Sequence, residues 1–473
     1  MSRKYFDGGD TSYTHTLSEY SVNLHYDAIP ADVLKRVKLM TLHTLGVSMA
    51  AGSIDLTKSA VQTGLLINGG TGGKATSWVG AHKLSAASAA FVNGTLADML
   101  DWEDCSWCGH PSAGTFPAAL ALAEELGVSG KTYLEAVVAG LEVYLRVAMS
   151  VQPPAGFNHN KGWGLTSWQI FAAAAAASKI MGLDAARTNQ AFGMACLYTT
   201  IPTNLMQATM SNAYHYQHGF PAMGGVMAAY AARQGIDNLS DGLDIPYAYA
   251  EQLTTEPHRE WMDRSLNEFL LMKILIKHWP ANMWVQTPVE IVHDLAIEHK
   301  IDPKGIAEII IDPPTQFRMH CYAEGYSSLM EAQFSMPYVI AAMLLDPKPG
   351  AAWYTRGKMT DPTLLALAAK VKSGQGKEHT LNDSFNMYID GRFPEKTVTI
   401  RMKDGVTYSR TQAAHKGHPD NMLTESEFRE LFMHNAEPVL GTSGAEKLSD
   451  AIMNIENQND LSSFGIYLVS AGY

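Results

Sequence analysis

Apolar residues recur at helical spacing in one segment after another between Pro30 and about Gly235. Glycines of the kind that end helices punctuate this pattern at Gly127 and Gly182, and Ser129 is a capping residue for the segment that follows. The spacing therefore predicts an all-helical arrangement for this part of the chain.

The pattern changes after Lys273, where apolar and polar residues begin to alternate as they do in strands. Residues 307–312 predict one strand, and residues 397–408 predict a hairpin with a Lys-Asp-Gly turn. Thr424 and Glu427 have the spacing of a capping box, which indicates that a terminal helical segment begins there. We therefore expect a mixed α/β unit in the second half of the chain.

The densest run of ionisable residues follows an apolar helix predicted from Ser85 to Leu100. Asp101 and Cys105 would share one helix face if the helix continued, because they are four residues apart, and His110 follows shortly after. A buried carboxylate that accepts the imidazole N–H fixes the tautomer, which suits general acid–base catalysis. The alternative interpretation is a solvated helix end, with His110 simply starting the next helix.

Further segments accompany this run in a definite order. They are Ile29–Pro30, Leu45–Val47, His110–Ala113, Pro117–Glu124, Gly140–Val143, Gly219–Gly225, Lys277–Pro280 and Glu331–Ser335. This order closely resembles the MmgE/PrpD family, which includes 2-methylcitrate dehydratase, cis-aconitate decarboxylase and iminodisuccinate epimerase. The resemblance extends over roughly residues 15 to 440.

The resemblance implies a mainly α fold with two structural units. A large helical domain would comprise residues 1–272 and, after an interruption, residues 413–473. A smaller α+β domain, inserted at residues 273–412, would act as a lid over the site.

Composition restricts the partners of this chain. The formal charge of −12 opposes sequence-independent nucleic-acid binding, and no run approaches the roughly 20 apolar residues of a membrane span. Charged residues make up 17% against a typical value of about 25%, so we expect much surface to be buried in a homodimer. No signal peptide is visible behind Met1, and four cysteines in 473 residues predict a reducing compartment, here the cytoplasm. We expect neither a metal nor another cofactor.

Three positions match the site of the resembled family. Asp101 and His110 match an acidic residue and a histidine of its first motif, and Lys277 matches its lysine-proline segment. Three other positions depart from it: Trp163 and Asn282 stand where relatives place histidines, and Tyr214 stands where they place a lysine. We therefore expect a pocket that has lost positive charge.

Aromatic and imidazole side chains occupy the same segments. Trp107 and Trp163 would wall the pocket, with Thr166 beside them, unless the tryptophans merely fill core or interface volume. His159 and the run His215–His218 are candidates for proton transfer, since unperturbed imidazole titrates near pH 6.5, although each is individually expected to be an ordinary surface or core histidine.

These observations favour a cofactor-independent lyase that acts on a small molecule beside a carboxylate or carbonyl. His110 would be the acid–base residue, and Asp101 would orient its imidazole or act as a second base. Tyr214 would donate a proton to the leaving hydroxyl group. Lys277, helped by Asn282, would hold a single anionic group, and Cys105 would shape the pocket. Dehydration is preferred because few cations remain to hold a polycarboxylate. Decarboxylation or isomerisation of a small organic acid stays an alternative, as does a non-catalytic binding relative with the same fold.

Overall fold

The protein has a mainly α fold, as predicted. A computed structural model describes residues 12–70, 72–106, 109–151, 167–199, 209–236, 240–246, 248–380, 383, 386–387, 392 and 394–469. Four of the candidate site residues lie outside these ranges: Trp107, His159, Trp163 and Thr166.

Helices occur throughout the described ranges. They are α1 (Tyr13–Asn23), α2 (Ala31–Ala50), α3 (Asp55–Asn68), α4 (Ala86–Ala97), α5 (Ser112–Leu126), α6 (Gly130–Val151), α7 (Gln169–Ile180), α8 (Ala185–Leu197), α9 (Gly219–Arg233), α10 (Tyr249–Leu253), α11 (Gln286–Glu298), α12 (Leu329–Gln333), α13 (Met336–Leu345), α14 (Arg356–Met359), α15 (Pro362–Ala368) and α16 (Glu425–Met453). None of them combines the length and the apolar character that a membrane span requires.

The helices α5, α6, α8 and α9 pack around α7, which carries a run of six buried alanines at residues 172–177. The small side chains of these alanines allow the neighbouring helices α6 and α9 to approach α7 closely. The helix α16 begins at the predicted capping box of Thr424 and Glu427 and packs against α2, so the C-terminal helix lies on the first helices of the chain. The division into residues 1–272, 273–412 and 413–473 stays a prediction.

The strands form one four-stranded sheet and two short ladders. The strands are β1 (Ala75–Thr76), β2 (Lys83–Leu84), β3 (Asp104–Cys105), β4 (Leu275–Ile276), β5 (Ile306–Asp312), β6 (Val371–Ser373), β7 (Lys396–Met402) and β8 (Thr407–Gln412). The sheet has the order β6-β5-β7-β8, in which β5 runs parallel to β6 and antiparallel to β7. Gly405, with φ of 91°, closes the predicted hairpin between β7 and β8.

A separate apolar core holds the sheet against α11, α13 and α15. We call these elements, from Gln286 to Gln412, the mixed unit. Met99, Leu100 and Trp102 from the first part of the chain are also buried in this core. The mixed unit therefore packs directly on the segment that carries the ionisable run.

The predicted helix from Ser85 to Leu100 is wrong at its end. The helix α4 stops at Ala97, and Asp101 adopts a φ of 48°, a left-handed conformation that no helix continues through. The chain then enters β3, so Asp101 and Cys105 do not share a helix face.

Candidate active site

A two-stranded ladder brings distant parts of the chain together at the candidate site. The strand β3 (Asp104–Cys105) pairs antiparallel with β4 (Leu275–Ile276), and Lys277 follows the latter directly. The turn at Asp101 leads into the other strand. This register places Lys277 against the ionisable run.

The ammonium group of Lys277 lies between two carboxylates. Its Nζ is 2.5 Å from Oδ1 of Asp101 and 2.5 Å from Oε1 of Glu103, and all three side chains are fully buried. Burial alone would lower the pKa of Lys277, but the two carboxylates reverse this effect and raise it. Burial would raise the pKa of Glu103, yet Lys277 and His110 hold it below its usual range. Glu103 is therefore ionised and Lys277 is charged at neutral pH.

His110 is held at both ring nitrogens. Its Nδ1 is 2.5 Å from Oε1 of Glu103, and its Nε2 is 3.2 Å from the hydroxyl of Tyr214. Because the ionised Glu103 can only accept, Nδ1 carries a proton, and Nε2 is the ring nitrogen that faces Tyr214. The backbone N–H of His110 donates to the hydroxyl of Tyr144 at 2.9 Å, which fixes the start of α5. Burial raises the pKa of Tyr214 well above 10, so its phenol is protonated.

Two further histidines approach the site where α4 and α9 cross. A Cβ on Gly219 would lie 2.2 Å from Oγ1 of Thr95, so only glycine permits this crossing. His215 Nδ1 is 2.9 Å from the carbonyl oxygen of Asp98, and burial lowers the pKa of His215 to about 4. The ring of His218 lies 5.3 Å from that of His110, centroid to centroid, and burial and His110 lower its pKa far below 6.5. Both imidazoles are therefore neutral near pH 7.

The mixed unit contributes an arginine to the site. Arg318 is 5% exposed, and its Nε donates to Oδ1 of Asn282 at 2.9 Å. Its guanidinium carbon lies 4.4 Å from the ring centroid of Phe334, and that ring packs edge-on against Tyr214. Burial lowers the pKa of Arg318 to about 10, so it stays a cation at neutral pH. Asn282 thus holds Arg318, whereas the sequence predicted that it would help Lys277.

The thiol of Cys105 faces the protein interior. Its Sγ is 3.4 Å from Sδ of Met283 and 3.3 Å from the carbonyl oxygen of Ser106. Burial raises the pKa of this thiol well above 9. Cys105 is therefore a protonated packing group and not a nucleophile.

Comparison with known proteins identifies the family. The N-terminal domain model of MmgE/PrpD matches residues 15–262, and the C-terminal domain model matches residues 279–457. The chain belongs to the MmgE/PrpD family. The relatives found include the cis-aconitate decarboxylases of Homo sapiens, Mus musculus and Aspergillus terreus. The human protein is 26% identical over 91% of this chain and 89% of its own length. The mouse protein is 25% identical over 95% of this chain and 92% of its own length. The fungal protein is 23% identical over 95% of this chain and 94% of its own length. These relatives are lyases, which supports a lyase-type enzyme here.

The structure brings together four of the residues that the sequence analysis proposed: Asp101, His110, Tyr214 and Lys277. One contact differs from the prediction. Glu103, rather than Asp101, contacts the imidazole of His110, because the left-handed turn at Asp101 points its carboxylate to Lys277. The sequence analysis expected Lys277 to bind an anionic group of the substrate. In the structure, two carboxylates of the protein already contact its ammonium group.

Glu103 and Arg318 are the site residues that the sequence analysis missed. Glu103 stood within the ionisable run, and the MmgE/PrpD pattern alone did not distinguish it from its acidic neighbours. Arg318 gave no signal, because its segment lies in an irregular part of the mixed unit, far along the chain from His110. The packing of Phe334 on Tyr214 shows that Arg318 is near the site.

Two overlapping groups of side chains have donor atoms spaced for a metal ion. They are Asp98, His110 and His218, and Asp98, Asp101, Glu103 and His110. In the second group Lys277 already bridges two of the carboxylates, so a divalent cation would meet its positive charge. The first group fits a cation better, because neutral imidazoles are metal ligands. A metal-independent reaction stays our prediction.

Proposed function

We propose that the protein is a hydro-lyase that removes water from a hydroxylated acid or carbonyl compound. The observation that supports this most directly is the pair formed by His110 and Tyr214, whose Nε2 and hydroxyl oxygen are 3.2 Å apart. Dehydration requires a base for the proton on carbon and an acid for the leaving hydroxyl. This pair offers both, side by side and buried.

His110 would act as the base through Nε2. The ionised Glu103 accepts a hydrogen bond from Nδ1–H. This bond keeps the basic lone pair on Nε2 and stabilises the imidazolium that forms. Lys277 keeps Glu103 ionised in this buried setting. In this proposal Lys277 therefore acts through Glu103, instead of binding the substrate.

Tyr214 would act as the acid. Its raised pKa keeps the phenol protonated at rest, and the proton passes to the hydroxyl group as its C–O bond breaks. The imidazolium of His110 then returns its proton to the Tyr214 oxygen through their hydrogen bond. Both residues regain their starting states, and the products are water and a carbon–carbon double bond.

Decarboxylation is a second candidate, favoured by the relatives found over nearly the whole chain, which are cis-aconitate decarboxylases. In that reaction the carboxyl group leaves as carbon dioxide, and only a proton donor toward carbon is needed. The imidazolium form of His110 or the phenol of Tyr214 would be that donor.

A substrate screen tests the proposed function. The purified protein is incubated with hydroxy acids, unsaturated acids, 2-methylcitrate and cis-aconitate, and products are identified by mass. We expect loss of water from a hydroxy acid with a single carboxylate and a sizeable apolar body. Loss of carbon dioxide alone would contradict dehydration, and ligand binding without any turnover would favour the non-catalytic alternative.

The same screen should give specificity constants well below about 10⁴ M⁻¹s⁻¹ for 2-methylcitrate and cis-aconitate. Three new carboxylates would approach Asp98, Asp101 and Glu103, and the charge of Lys277 is already compensated. At most one of the three could pair with the guanidinium of Arg318, and the others would lose hydration without a strong partner. A specificity constant at or above that value would show that other basic residues, such as His159 or His215, hold the substrate.

We also propose that the protein is a homodimer, because its charged fraction of 17% is low, and that it is cytoplasmic, because four cysteines in 473 residues predict a reducing compartment. Leu197 and Tyr198 at the end of α8, and Phe220 and Met227 on α9, are large apolar side chains left exposed in the single chain. Sedimentation at micromolar concentration should show a dimer or a larger assembly, and a monomer would contradict this proposal.

A further inference from the structure

We propose that Arg318 binds the carboxylate of the substrate and thereby selects 3-hydroxy monocarboxylic acids. The inference extends the proposed dehydration and rests on it for the reaction, although the binding site itself can be tested without turnover. It assigns to the mixed unit a direct part in recognising the substrate.

The charge of Arg318 is buried without a counter-charge. Its polar contacts among the described residues are to neutral oxygens, Oδ1 of Asn282 and the backbone carbonyl of Phe317. No carboxylate in this part of the structure lies within 4.0 Å of the guanidinium. A guanidinium carries five N–H donors, so most of its fork remains available. Buried cations are normally paired, which makes an anionic ligand the natural complement.

Two phenyl rings contact the guanidinium. Its carbon lies 4.6 Å from the ring centroid of Phe317 and 4.4 Å from that of Phe334. Asn282 holds Nε and is itself fixed by its backbone N–H, which donates to the carbonyl oxygen of Gln333 at 3.1 Å. A guanidinium held by these rings and by Asn282 presents a planar fork that fits a planar carboxylate, which such a fork binds through two parallel hydrogen bonds.

The position of Arg318 relates it to the reacting groups. The ring of Phe334 contacts both Arg318 and Tyr214, with 5.2 Å between the ring centroids of Phe334 and Tyr214, and the Tyr214 hydroxyl reaches His110. Asp101 is close enough to affect the pKa of Arg318. The cation, the acid and the base therefore border the same region.

This arrangement defines the substrate class. If Arg318 holds the carboxylate, His110 Nε2 takes the proton from C2, where negative charge then spreads onto the carboxylate oxygens beside Arg318. The bond between C3 and its hydroxyl oxygen breaks, Tyr214 supplies the proton for water, and the double bond forms between C2 and C3. One cation serves one carboxylate, and Phe317, Phe334 and Tyr214 offer apolar surface to the substituent on C3. The product is an α,β-unsaturated monocarboxylic acid.

Binding of matched acids and amides tests this inference. The probes are cinnamate and cinnamamide, which share shape and differ in charge, and affinities are measured by calorimetry on the full chain at pH 7. We expect wild type to bind cinnamate at least about tenfold more tightly than cinnamamide. The substitution Arg318→Met should weaken cinnamate binding by about ten- to hundredfold and leave cinnamamide binding unchanged. The affinity of Arg318→Lys for cinnamate should lie between those of wild type and Arg318→Met.

Arg401→Met is the matched control, because Arg401 lies in the same unit but on its surface, paired with Glu308. It should leave both affinities unchanged. Equal binding of acid and amide by wild type, failure of cinnamate to bind, or discrimination that survives Arg318→Met would overturn the inference. His110→Ala separates it from the proposed function, since this variant should bind cinnamate normally. If cinnamate binding depends on Arg318 but no 3-hydroxy acid is dehydrated, only the proposed function is rejected. If a 3-hydroxy acid is dehydrated but cinnamate binding does not depend on Arg318, only the role of Arg318 is rejected.

Discussion

Replacing His110 with alanine is expected to slow turnover by about a hundred- to ten-thousandfold while the fold stays intact. The imidazole is the only base in the described site whose nitrogen faces the proton donor Tyr214. Its removal leaves Glu103 paired with Lys277, so this carboxylate keeps its counter-charge and the protein should remain folded. Steady-state rates on the best substrate from the screen, with circular dichroism as the measure of folding, test this expectation.

Chemical rescue distinguishes a catalytic role of His110 from a structural one. Added imidazole should restore part of the activity of His110→Ala, because a small base can enter the space that the side chain left. His293→Ala is the matched control, since His293 lies on α11 in the mixed unit and is partly exposed. It should retain wild-type rates. Wild-type rates in His110→Ala would remove this histidine from the mechanism.

Replacing Lys277 with methionine is expected to lower the free energy of unfolding by about 3–5 kcal/mol at pH 7 and to abolish activity. Asp101 and Glu103 would then be buried next to each other without a cation. Urea unfolding measures the loss. The exposed pair of Lys58 and Asp55 provides the control, and Lys58→Met should change stability by no more than about 1 kcal/mol.

The loss in Lys277→Met should shrink as the pH falls. Without the ammonium, burial raises the folded-state pKa values of Asp101 and Glu103 above their unfolded values, which are about 3.9 and 4.3. The folded variant then binds more protons than the unfolded chain, so its stability falls as the pH rises and recovers as the pH drops through the raised pKa values. A loss that stays constant between pH 7 and pH 5 would show that the carboxylates are not the cause.

Local patterns predicted much of the fold. The hydrophobic periodicity indicated the helices, and the alternation with a Lys-Asp-Gly turn predicted the hairpin of β7 and β8. The capping box at Thr424 and Glu427 was also correct. These features depend on residues close together in the chain, so the sequence contains them directly. The end of α4 was missed, because the left-handed conformation of Asp101 is stabilised by contacts with distant residues.

The candidate site was predictable only in part. The sequence analysis proposed Asp101, His110, Tyr214 and Lys277, which the structure brings together. It did not indicate that Glu103 would contact His110, because three acidic residues occur within four positions and a small rotation of the backbone decides which one faces the ring. It did not indicate Arg318 either, because that contact runs through a side chain of another segment.

The sequence by itself determined the helical character of the protein, its mixed α/β segment and its family, since each depends on local spacing or on motif order. Tertiary structure alone decided which charges meet. Lys277 reaches Asp101 and Glu103 from more than 170 residues away through the ladder of β3 and β4. Burial then decides their protonation, because a charge removed from water is stable only beside a partner that packing supplies. Arg318, a cation buried without such a partner among the described residues, is where that rule points to a ligand.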